Sequence, residues 1–67
     1  MTPADFKIAV KHRLVDMGMT QADMIREVRE RTGMYLDKSY LSKIYRGTRH
    51  SAKIITAIRE ILDLPEE

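Results

Sequence analysis

Between residues 38 and 53 the chain carries Lys38, Lys43, Arg46, Arg49 and Lys53, and no carboxylate. Among these cations stand Ser39, Ser42, Thr48 and His50, side chains that both donate and accept hydrogen bonds. A segment of this kind suits recognition of a polyanion: its cations neutralise phosphates, while its ammonium and hydroxyl groups reach base edges. The plainer alternative is a solvated face. The rest of the chain does not share the bias. Residues 1–37 set six bases (Lys7, Lys11, Arg13, Arg26, Arg29, Arg31) against six acids (Asp5, Asp16, Asp23, Glu27, Glu30, Asp37). Residues 54–67 set Arg59 against Glu60, Asp63, Glu66 and Glu67. The net charge of +2 therefore conceals a neutral body, one cationic segment and an acidic tail.

Other chemistries find few residues to work with. There is no cysteine, hence no disulfide, no thiolate nucleophile and no cysteine-based zinc site. His12 and His50 are lone histidines with no second histidine or cysteine at metal-ligand spacing, so neither a metal nor any other cofactor is expected. A glycine-rich phosphate loop is missing. A chain of 67 residues also has little depth in which to shift a carboxylate pKa, so no enzyme is expected. No apolar run approaches the roughly 18 residues of a membrane span. Acid and base appear as early as Asp5 and Lys7, which leaves no signal-peptide pattern; the expectation is a cytoplasmic protein away from membranes. The length bounds residues 1–67 to a single domain.

Four elements are available to position the cationic segment. Thr2-Pro3-Ala4-Asp5 reads as a helix start, and Phe6, Val10, Leu14 and Met17 form one apolar stripe ended by Gly18, giving a helix over 3–17. Thr20 and Asp23 form a near-capping box for a second helix over 21–32, with Met24, Ile25 and Val28 inward and Gly33 at its end. Its wet face interleaves Arg26, Arg29 and Arg31 with Glu27 and Glu30, a self-paired surface. Met34-Tyr35-Leu36 is a turn or extended connector, and Asp37 caps a third helix over 38–46, with Leu41 and Ile44 inward and Gly47 closing it. Ser51 caps a fourth, whose apolar face holds Ile54 (or Ile55), Ile58, Ile61 and Leu62 and which Leu64-Pro65 stops. Met17, Met19, Met24 and Met34 read as core filler, and at least two of Tyr35, Tyr40 and Tyr45 as packing at the core rim. With no period-2 strand pattern, the fold class is all-α, a compact four-helix domain.

A short helix, a glycine turn and a short basic helix make the layout of a helix-turn-helix DNA reader. Lys38, Ser39, Ser42 and Lys43 share one side of the third helix, since residues three and four apart are neighbours there. These four are the candidate base readers. Arg46, Arg49 and His50, past the helix end, and Lys53 are candidates for the sugar-phosphate strand. Gln21, in the first turn of the second helix, sits beside free backbone N–H groups suited to a phosphate oxygen.

These residues carry a family resemblance. Gly18-Met19-Thr20-Gln21-Ala22-Asp23-Met24 is similar to the G-x-T-Q-x-x-L opening of the second helix in the phage lambda repressor and Cro-type helix-turn-helix family. Tyr40-Leu41-Ser42-Lys43-Ile44-Tyr45-Arg46-Gly47 resembles the same family's recognition-helix ending, y-[IL]-S-x-[IL]-E-x-G. The likeness extends over residues 5–64. It implies a lambda-repressor-like domain that binds double-stranded DNA as a transcription regulator, of the small kind found in phage and mobile elements. Carried over, it makes Gln21 a phosphate and helix-anchoring residue, Lys38, Ser39, Ser42 and Lys43 base-facing, and Arg46, Thr48 and Arg49 backbone-facing. The chain departs from the family in several extra residues through 29–34, in Tyr45 where the family has glutamate, and in a fourth helix with no fifth after it. A single recognition helix reads few base pairs, so a homodimer is expected, with Ile55, Ile58 and Leu62 of the fourth helix as its contact. The competing expectation is a protein-interaction module of the same fold that modulates a partner regulator, marked by an exposed apolar patch.

Overall fold

In the computed structural model, whose described residues are 2–64, four helices are present: α1 (Pro3–Met17), α2 (Gln21–Thr32), α3 (Lys38–Tyr45) and α4 (Ala52–Leu62). No strand occurs among the described residues. Each helix begins on a side-chain oxygen that takes up one of the orphan N–H groups of a first turn. The Asp5 N–H donates to Thr2 Oγ1 at 3.1 Å while the Thr2 N–H donates back to the Asp5 carboxylate at 3.3 Å. Thr20 and Asp23 repeat the arrangement at the same two distances. Asp37 accepts the Tyr40 N–H at 2.7 Å, and Ser51 accepts the Ile54 N–H at 3.4 Å. The first two helices end on glycines in the left-handed region, and α4 ends on Asp63 in the same conformation (φ 54°). That turn, with the Leu64 N–H donating to the Arg59 carbonyl at 2.8 Å, stops α4. Pro65, the expected stop, lies outside the described residues.

The apolar faces meet in one core. Phe6, Val10 and Leu14 of α1, Met24 and Val28 of α2, Leu41, Ile44 and Tyr45 of α3, and Ile54, Ala57, Ile58, Ile61 and Leu62 of α4 are all buried. Packing pairs α2 with α4, and sets α1 against both α3 and α4. Arg13 ties the second half of α1 to the end of α4: its Nε donates to the Leu62 carbonyl at 2.7 Å, and the guanidinium lies 3.8 Å from the Asp63 carboxylate.

Several sequence expectations change here. Met17 is 43% exposed, because α1 runs past the last neighbour able to cover it. Ile25 is half-buried, at the edge of the face that holds Met24 and Val28. Leu36, read only as connector, is fully buried and belongs to the core. The tyrosine expectation holds: Tyr45 is buried and Tyr40 half-buried against the core, while Tyr35 is exposed. Ile58 and Leu62 have no exposed surface, so they cannot form a dimer contact; α4 turns them into the core of its own chain and leaves only Ile55 half-buried at the edge. Arg26 pairs with Asp23 at 3.3 Å, and Arg29 lies 5.6 Å from the centre of the Tyr35 ring, partners other than the expected Glu27 and Glu30.

Candidate nucleic-acid interface

Residues 33–37 join α2 to α3 and fix where α3 begins. Asp37 is held from two sides: one carboxylate oxygen caps the Tyr40 N–H and the other accepts the Tyr35 hydroxyl at 2.7 Å. These two bonds keep its carboxyl below the usual aspartate range, the backbone N–H of Tyr40 contributing most. The ring of Tyr35 in turn lies under the Arg29 guanidinium. The far end of α3 is closed by its own loop. Gly47 stands at φ 78°, and both the N–H (3.0 Å) and the hydroxyl (3.1 Å) of Thr48 donate to the Lys43 carbonyl.

With Leu41, Ile44 and Tyr45 buried, the remaining face of α3 is turned to solvent. Lys38, Ser39, Ser42 and Lys43 are all exposed and, together with Arg46, line one shallow groove. The four expected base readers and one backbone cation thus share a surface. A second cleft adjoins it through Lys38 and Ser42 and is completed by Gln21, Tyr45, Lys7 and Lys11. Neither groove contains a carboxylate. Positive potential is therefore continuous from α1 across α3.

Lys7 and Lys11 belong to this surface although the charge count along the chain cancels them. A signal was present: they stand four apart and directly follow Phe6 and Val10, so they flank the apolar stripe of α1 on one side. Which neighbour they would meet there depended on the packing of α1 against α3.

The other expected backbone residues are not all gathered here. Arg49 and His50 are exposed but line a different cleft with Thr2, Pro3, Phe6 and Arg59. Lys53 lies elsewhere again, beside Arg31, Thr32 and Glu60. Thr48 is exposed, but its hydroxyl closes the end of α3. Gln21 is half-buried at the first position of α2, beside the α3 groove. Among the described residues no group of acidic or histidine side chains is arranged to hold a metal ion, and no helix is long and apolar enough to cross a membrane.

No known family matches the chain, and no curated protein or solved structure matches it either.

Proposed function

We propose that this protein is a sequence-specific double-stranded DNA-binding regulator of transcription, a small repressor with a helix-turn-helix of the lambda repressor and Cro type. In this reading α2 and α3 form the helix-turn-helix, and α3 enters the major groove with Lys38, Ser39, Ser42 and Lys43 toward the bases. Arg46, Lys7, Lys11 and Gln21 hold the flanking phosphates, and Arg49, His50 and Lys53 lie further out along the duplex. One observation carries the proposal: the solvent face of α3 and the cleft beside it are lined by lysine, arginine, serine, glutamine and tyrosine, with no acid among them. A merely solvated face in a chain with ten carboxylates has no reason to exclude them all.

The test is binding itself. At about 150 mM salt a selected duplex is expected to bind roughly a thousandfold or more tighter than a scrambled one, followed by fluorescence anisotropy. Weak binding to every duplex, lost as salt rises, would reduce the surface to a general polyanion patch.

A second reading has its own observation. Ile8 (56% exposed) and Val15 (79% exposed) stand seven apart on α1, hence on one face. An interaction module modulating another regulator would dock there. Glutamate at both positions then abolishes partner binding and leaves DNA affinity at the parent level.

A further inference from the structure

The cleft between α1, α2 and α3 contains a polar group that the fold leaves unsatisfied. Tyr45 is 8% exposed, and its ring lies against Phe6 with centroids 6.2 Å apart. Its hydroxyl is buried and has no hydrogen-bond partner. Nearly all buried polar groups in folded proteins find one, because leaving a donor unpaired is costly. Burial pushes the phenol pKa up to about 12, so the group remains a protonated donor at neutral pH. Tyr45 also forms part of the wall of the cleft lined by Lys7, Lys11, Gln21, Lys38 and Ser42, a space of about 150 Å³. At roughly 30 Å³ per water that is room for a tetrahedral anion. Every side chain around it offers a donor and none is a carboxylate. Gln21, which opens α2, adds its side-chain amide as a further donor on this cleft.

We infer that this cleft is a seat for one phosphate group, with Lys7 and Lys11 balancing the charge and the Tyr45 hydroxyl, uncovered as the anion enters, donating to a phosphate oxygen. The inference rests on the DNA reading for its source: the group is then a diester of the strand that flanks α3. A free phosphomonoester offers the same chemistry. Tyr45, Lys7 and Lys11 do not line the α3 groove of Ser39 and Lys43, so they contribute affinity and docking register but no choice of sequence. The seat also gives Tyr45, at the position where the resembled family carries glutamate, a role that an acid could not fill beside an anion.

Tyr45→Phe in the full chain separates the possibilities. Removing an unpaired buried hydroxyl leaves the melting temperature at or above that of the parent. Affinity for the selected and the scrambled duplex falls by the same factor, roughly tenfold, the loss of one hydrogen bond to a charged group. The dependence on salt stays unchanged, since a neutral donor releases no counterion, whereas Lys11→Gln lowers that slope by about one. Titration of the parent with inorganic phosphate shifts the amide resonances of Gln21, Lys38 and Ser42, and Tyr45→Phe weakens those shifts. If phosphate shifts them but duplex DNA neither binds nor displaces it, the seat stands for a free phosphomonoester and the DNA reading fails. If Tyr45→Phe binds both phosphate and duplex as tightly as the parent, the seat is overturned and the DNA reading survives. A variant that melts well below the parent overturns it too, because the hydroxyl was then already satisfied within the fold.

Discussion

Arg46 and Gly47 stand side by side at the end of α3 and do different work. Arg46 is exposed at the rim of the α3 groove, and in the proposed reading it offers charge to a strand without reading bases. Arg46→Ala is expected to weaken binding to all duplexes alike and to lower the salt slope by about one, measured by anisotropy over a series of salt concentrations. Gly47 has no such surface role. Its φ of 78° disfavours any side chain, and a Cβ there would lie 3.2 Å from Pro3 Cγ at the start of α1. Gly47→Ala should therefore cost about 1–3 kcal/mol by denaturant unfolding, and weaken DNA binding only in proportion to the unfolded fraction. Both residues were legible in the sequence, one from its charge and one from its place after a basic helix. Lys7 and Lys11 were not, because a tally along the chain cancels them against Asp5 and Asp16 while the fold sets them beside Lys38.

At the scale of elements, the helix starts were readable because each capping signal is local. Thr2, Thr20, Asp37 and Ser51 all cap where the sequence placed them; the ends of α3 and α4 differ, α3 stopping at Tyr45 and α4 at Leu62 on the left-handed Asp63, ahead of Leu64-Pro65. What sits between helices was less readable. Leu36 lies in a connector with no period to mark it, yet it is fully buried. Leu36→Ala is expected to destabilise by roughly 2–5 kcal/mol and, by loosening the connector that sets the start of α3, to blur sequence discrimination more than total affinity. The apolar face of α4 was equally plain in the sequence, but amphipathicity does not distinguish a core face from a subunit contact. Asp37 supplies a pH test of the α3 cap. Its folded pKa lies below the unfolded value, so its contribution to stability is complete above the unfolded pKa and is lost as pH falls through the folded one. Asp23 behaves in the same way, its carboxyl held down chiefly by the Thr20 hydroxyl. Asp37→Asn retains a capping oxygen but does not titrate. Its melting temperature should decline less steeply than the parent's as pH drops below the ordinary aspartate value of 3.8. Parallel acid limbs would show that Asp37 does not carry the effect.

For the whole molecule the governing feature is separation of charge. One face runs from α1 across α3 without an acid, while the cationic segment is followed in sequence by an acidic tail that suits a DNA surface poorly. Size constrains how two copies share a site. The described chain measures 25 × 24 × 20 Å, whereas half-sites recur at roughly 34 Å. Two copies in contact therefore match one helical turn only if each α3 lies on the side away from the contact. Since α4 buries Ile58 and Leu62 internally, its apolar face does not supply that contact. With that contact removed, sedimentation without DNA should show a monomer at high micromolar concentration. The most direct test of α3 as the reading element is selection from a random duplex pool, run in parallel with the parent and with Lys43→Ala. The expected result is one enriched motif for the parent and, for the variant, the same motif relaxed at one or two positions. An identical motif from both proteins, or none from the parent, would contradict the assignment of Lys43 and its neighbours to the bases.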